Sequence, residues 1–240
     1  VYNETVARLT YRALLGRRRA AILATLPALL IVIAIVVRAL GGEDDRSAEG
    51  VLGGFALASM VPLIGVIAGT GAIAPEIDDG SIVYLLAKPL PRRTIILTKL
   101  SVAVAVTVVF TTIPVLIAGL VLNGNSQGIA GAYVLASAVA SVAYSAVFLL
   151  LGTVSRNAVV LGLVYALVWE ALFGSLVPGA RTLSIQQWAL ATAERVAADG
   201  TGVTSDVALP TAIVLLVVVT VAGTWYATRR LRSLTVAGDD

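Results

Sequence analysis

Apolar residues in this chain gather into long runs, with neither the two-residue rhythm of a half-buried strand nor the narrow stripe of a surface helix. Six runs stand out, at 20–40, 51–73, 95–122, 129–152, 158–177 and 209–228, each nearly free of charge. A helix rising about 1.5 Å per residue needs about 20 apolar residues to cross a hydrocarbon core of about 30 Å, so each run predicts a membrane-spanning helix. Transmembrane barrel strands alternate over only about 10 residues, which excludes them here. The first run follows Arg17, Arg18 and Arg19 as a signal core would, but such a core spans about 7 to 15 residues, so a retained helix is expected. The fold class is therefore all-α: a polytopic membrane protein with six transmembrane helices.

Composition agrees with that pattern. Of the 240 residues 58% are hydrophobic and 13% charged, and the mean hydropathy is +0.96. The chain has no Cys and no His, which removes disulfides, thiolate chemistry and the commonest general base and metal ligand, so an enzyme is not expected. A net charge of +3 would suggest nucleic acid in a soluble protein, but here the placement of the charges matters more, and no nucleic-acid partner is expected. Thirteen of the 17 basic residues lie before the first run, around the segment between the second and third, between the fourth and fifth, or after the sixth. The positive-inside rule then makes both termini cytoplasmic. Fifteen Arg against two Lys fit a GC-rich bacterial sequence, and hence a bacterial plasma membrane.

The whole of 1–240 reads as a single transmembrane domain. Its parts are an amphipathic interfacial helix at 1–19, a bundle at 20–228 with a cytoplasmic loop at 74–94 and an external segment at 178–208, and a tail at 229–240. In the first part Tyr2, Val6, Leu9 and Ala13 share one helical face, while Glu4, Arg8 and Arg12 share another. Pro27, Pro62 and Pro114 predict local kinks. Gly65 and Gly69, and the row Ser137, Ser141 and Ser145, have the four-residue spacing of close helix contacts.

Arg38 and Glu170 are charges well inside apolar runs, both toward the outer side, where a lone charge costs on the order of 2.5 to 3.5 kcal/mol. They are expected to pair with each other as an intramembrane charged pair or gate, or Glu170 to pair with Arg181; separate snorkelling to the outer interface is the alternative. In the external segment Pro178 and Gly179 break the helix. An amphipathic stretch at 183–198 follows, with Trp188 at headgroup depth as a candidate gate or passive lid.

The loop at 74–94 carries the most specific pattern. Pro75 and Gly80 break the preceding helix, Ser81 is a candidate N-cap, 82–87 forms a short apolar helix, and Pro89 turns Lys88 out of helical geometry. Acids stand at its front (Glu76, Asp78, Asp79) and bases behind it (Lys88, Arg92, Arg93), as a helix dipole favours. Basic residues anchoring the span ends to headgroups would explain Arg92, Arg93 and Lys99, but neither the acids nor the apolar stub. Glu76 has a second reading, as a helix cap or an internal partner of Lys99.

Glu76, Gly80, Ser81, Lys88, Pro89, Pro91, Arg92 and Lys99 together resemble the loop between the second and third spans of ABC-2 type permeases, although that family usually has Ser where this chain has Pro91. The resemblance implies a transmembrane permease subunit of an ABC exporter for a hydrophobic or amphiphilic solute. It further implies a coupling helix that contacts an ATPase through Glu76, Asp79, Gly80, Ser81, Leu85, Lys88, Pro89 and Arg92. The partners would be two ATPase subunits, which bind the ATP and Mg, and a second permease copy in a homodimer or heterodimer. The chain has no G-x-x-x-x-G-K-[ST] phosphate loop, so no cofactor is expected in it. The alternative is a stand-alone six-span carrier or channel. It fits less well, because the two halves carry very unequal loops and lack acidic residues at mid-membrane for ion coupling.

Overall fold

A computed structural model describes residues 2–86, 90–173, 181–198 and 200–233, and all regular structure among them is helical. Helix α1 (Glu4–Leu14) lies ahead of the long α2 (Arg17–Gly41), which starts at the arginine cluster and continues through Pro27. After a short α3 (Asp45–Glu49) the second span is π-helical over Gly50–Met60 and α-helical in α4 (Val61–Gly71). Pro62 falls in the first turn after that change of winding, where a missing N–H costs least. Then come α5 (Ala74–Asp78), α6 (Ile82–Leu86) and α7 (Arg92–Asn123). A polar turn with Gly124, Asn125, Gln127 and Gly128 all at positive φ leads into α8 (Ile129–Val154). It is followed by α9 (Ala158–Val164), a second π-helical stretch (Tyr165–Phe173), α10 (Ile185–Glu194) and α11 (Leu209–Ser233).

Five helices among the described residues are long and apolar enough to cross a membrane: Arg17–Gly41, Asp45–Asp78, Arg92–Asn123, Ser126–Val154 and Leu209–Ser233. The fifth expected span, at 158–177, differs: its apolar helix, Ala158–Glu170, is shorter. Pro75 also behaves differently from expectation. It sits in the first turn of α5, and the break comes earlier, at Ile73, whose φ of −139° interrupts the helix.

Helix α8 is the hub, packed against α4, α7, α10 and α11. Its sequence explains this, because buried Ala, Ser and Gly recur along its length and let neighbouring backbones come close. A Cβ on Gly65 would lie 2.9 Å from Tyr144 Cβ, and one on Gly69 2.7 Å from Phe148 Cβ, so the expected glycine pair serves intrachain packing of α4 on α8. The serine row faces α7, where Ser141 Oγ is 3.0 Å from Thr111 Oγ1 and Ser145 donates to Thr107 Oγ1 at 3.2 Å. By contrast α2 and α11 keep broad faces of Val, Ile and Leu exposed, as lipid contact requires.

Candidate functional site

The end of the bundle that carries the 74–94 loop is organised around Lys99. On the first turns of α7, its ammonium is fully buried and donates to Glu76 Oε1 at 2.6 Å, the Ala72 carbonyl at 2.7 Å and Thr10 Oγ1 at 3.5 Å. An ammonium has three donors, and here each finds an acceptor. Those acceptors belong to the start of the 74–94 loop, the end of α4 and the interfacial helix, so one side chain ties three elements to α7. A second tie runs beside it, from the Asn3 N–H to Thr98 Oγ1 at 3.1 Å, while Asn3 Oδ1 caps α1 by accepting from the Val6 N–H. Glu76 is therefore held inside the chain by Lys99, the second of its two expected roles.

Helix α1 turns a different face inward from the one expected. Val6, Ala7, Thr10 and Leu14 are buried, while Tyr2, Leu9 and Tyr11 are exposed. The buried stripe follows Thr10, because Lys99 needs an acceptor there and a hydropathy pattern ranks Thr below Leu. The Glu4–Arg8 pair at 3.6 Å is solvent-exposed and contributes little.

Beyond Glu76 the loop turns outward. Asp79, Gly80 and Ser81 are exposed, and Gly80 has φ of +70°, a left-handed geometry that suits glycine. The Ser81 hydroxyl donates to the Glu76 carbonyl at 3.4 Å, and Ser81 directly precedes α6, the expected short helix. Ile82 is buried, whereas Val83 and Tyr84 are exposed, Tyr84 at 79%. Tyr84 escaped the sequence reading because a five-residue helix has too few turns to reveal its outward face. Leu85 lies on α6, Arg92 opens α7 and is partly exposed, and Lys88 and Pro89 lie outside the described residues.

Toward the opposite end of the bundle the charges are distributed differently from expectation. Arg38 pairs with Glu43 and donates to the Leu122 carbonyl at 3.3 Å, which occupies an orphan acceptor at the end of α7. Arg181 pairs with Asp206 at 3.1 Å. The expected Arg38–Glu170 and Arg181–Glu170 pairs are thus not among the ion pairs of the described residues. Glu170 is fully buried and accepts from Tyr165 Oη at 2.9 Å, from the Ser184 hydroxyl, and from the N–H groups of Ile185 at 3.0 Å and Gln186 at 3.4 Å. A carboxylate has about four acceptor positions, and four donors meet it. Placed at the N-terminus of α10, it also lies where a helix dipole favours negative charge. Glu170 thereby joins the second π-helical stretch to α10.

Tyr144, which lies beside Glu170 and Gln186, is 15 residues along α8 from Ile129, about 22 Å at about 1.5 Å per residue. Just beyond the other end of α10, the Ala198 N–H donates to the Gln127 carbonyl at the outer turn. Helix α10 therefore runs alongside α8, from its middle toward the end at Gln127. Trp188 is buried in the protein at 4% exposure, with Nε1 donating to the Thr182 carbonyl at 2.9 Å.

Outside, Asp44 caps α3 by accepting from the Ser47 hydroxyl at 2.8 Å and the Ser47 N–H at 3.1 Å. Those two bonds, the hydroxyl first, hold its carboxyl below the ordinary value of 3.8. Among the described residues no group of three or more acidic side chains is arranged to hold a metal ion.

Comparison with protein families finds that the model of the ABC-2 family transporter protein matches residues 6–225. Comparison with curated proteins gives no match.

Proposed function

The chain belongs to the ABC-2 transporter family and is a membrane permease of an ABC transporter, and from that premise we propose that it is one half of an exporter for a hydrophobic or amphiphilic solute. In this reading it crosses the bacterial plasma membrane six times with both termini in the cytoplasm. It pairs with a second permease copy, and two separate ATPase subunits bind ATP and Mg. The ATPase is contacted by the loop through Asp79, Gly80, Ser81, Tyr84, Leu85, Lys88, Pro89 and Arg92, while Glu76 anchors the loop from within.

The observation that carries the coupling assignment is the contrast along 76–84: a buried ion pair fixes the loop's base, and an exposed Tyr84 tips a short helix beyond it. An aromatic on a rigid stub suits insertion into a pocket on a partner, where such residues contribute most of the binding energy. Grease-lined spans favour an apolar cargo over sugars or ions.

Co-expression with ATPase subunits tests this directly. Tyr84→Ala and Gly80→Val should each lower co-purification of the ATPase at least tenfold while the permease stays in the membrane. Retention of the ATPase after deletion of 80–91 would defeat the docking assignment. Orientation has its own test, because the chain has no Cys. A membrane-impermeant maleimide added to intact cells should label Ser126→Cys but not Tyr84→Cys, and the reverse result would invert the topology.

A further inference from the structure

The inner ends of α7 and α11 enclose a groove of about 410 Å³ that the coupling reading does not use. One wall is Arg93, Leu97 and Leu100, at i, i+4 and i+7 of α7, and the other is led by Val221, Thr224 and Trp225 of α11. The walls run about 10 to 12 Å along each helix, the depth of an upper acyl segment. Charge is confined to the mouth. Arg93 stands in the first turn of α7, and the Arg229 guanidinium lies 4.0 Å over the Trp225 ring, on the residue that follows Thr228 of the groove wall. None of the four ion pairs among the described residues uses Arg93 or Arg229. Nor can the threonines serve as donors toward the groove: the Thr220, Thr224 and Thr228 hydroxyls donate to the carbonyls one turn back, which leaves acceptors and methyl groups facing outward.

We propose that this groove is a binding site for an anionic phospholipid of the inner leaflet, with one acyl chain between Leu97 and Val221 and the headgroup phosphate between Arg93 and Arg229. The argument is charge complementarity. Two arginines that form no ion pair among the described residues stand at the polar end of an apolar slot, and basic pockets between spans on the cytoplasmic side are built to take acidic headgroups. Arginine suits phosphate because its planar donors can grip two oxygens at once, and the indole beneath Arg229 restricts its rotation so that less freedom is lost on binding. Assignment to the inner leaflet rests on the proposed orientation; binding itself does not.

The test uses the full chain with its ATPase in nanodiscs of equal phosphatidylglycerol and phosphatidylcholine, with retained lipid read by native mass spectrometry. Phosphatidylglycerol should be retained in preference to phosphatidylcholine. Taking about fivefold per arginine near a membrane surface, that preference should fall about fivefold in Arg93→Gln or Arg229→Gln and about thirtyfold in the double variant. Arg18→Gln, at an exposed arginine elsewhere on the same side, should leave it unchanged. Arg93→Lys with Arg229→Lys should retain most of it, which separates loss of charge from loss of fold. Equal retention of both lipids in the unaltered protein, an unchanged preference in the double Gln variant, or a crosslink between two chains through Leu97→Cys in the groove would each overturn the proposal. Because the discs are symmetric, failure here leaves the permease reading standing, and inverted topology would not abolish binding.

Discussion

Breaking the Lys99–Glu76 pair from its two sides should have unequal consequences. Lys99 is 1% exposed in its side chain and Glu76 is 30% exposed, so removing the carboxylate strands a buried ammonium, whereas removing the ammonium leaves a carboxylate that can turn to water. Stranding one partner of a buried pair costs about 3 to 5 kcal/mol, and water entering at the partly open Glu76 position brings Glu76→Ala to the lower end, about 3 kcal/mol. Lys99→Met keeps most of the apolar stem and forfeits hydrogen bonds worth about 1 kcal/mol. The double variant strands nothing and should cost about the same 1 kcal/mol, which leaves a coupling of about 3 kcal/mol between the two sites. For a chain of this size each kcal/mol moves Tm by about 2 to 4 °C, so Glu76→Ala should lower Tm by about 6 to 12 °C and the double variant by about a third of that. Thermal unfolding of the permease in nanodiscs, followed by loss of the monodisperse peak, measures all four corners of the cycle. Additive losses, or a larger loss from Lys99→Met than from Glu76→Ala, would refute the reasoning.

Three further outcomes follow from the geometry. Gly69→Ala places a methyl 2.7 Å from Phe148 Cβ and 3.1 Å from the Leu149 nitrogen, and overpacking of that kind costs about 1 to 3 kcal/mol; an unchanged Tm would show that α4 and α8 can separate freely. Glu170→Gln turns an amide N–H₂ toward one of four donors and leaves at least one buried group unmatched, at about 1 to 3 kcal/mol, and hydrogen exchange at Ile185 and Gln186 should speed up while that at α1 does not. Asp44 titrates below 3.8 in the folded chain, so its capping of α3 is fully present above that value and fades as pH falls through the lower folded one. Exchange at residues 45–49 should rise on acidification below about pH 4, and Asp44→Asn, an equally good cap with no proton to gain, should abolish that rise.

The elements themselves were largely legible, because run length is a direct physical requirement of the bilayer and five of the six runs coincide with long helices. The short helix after Gly80 was legible from its breakers, and the Glu76–Lys99 pair from two opposite charges flanking the same loop. What could not be read is phase and depth. Inside an apolar run every face looks alike, so neither the π-helical windings at Gly50–Met60 and Tyr165–Phe173 nor the burial of Thr10 left a trace in hydropathy. Glu170 was correctly singled out as costly, but its partners proved to be hydroxyls and backbone N–H groups. A sequence advertises countercharges and is silent about helix ends.

The two buried charged groups hold different kinds of joint. Glu170 fastens α10 to the second π-helical stretch, and α10 in turn packs against α8, the helix most deeply packed into the bundle. Lys99 instead ties the loop, the end of α4 and α1 to α7, which is itself packed along α8. A displacement of α6 by a bound ATPase would therefore reach α7, α1 and the end of α4 through that one joint. Under the proposed reading the Lys99 joint is where movement of the loop enters the bundle. Weakening the Lys99 joint should then uncouple ATP hydrolysis from transport before it abolishes either ATPase binding or insertion into the membrane.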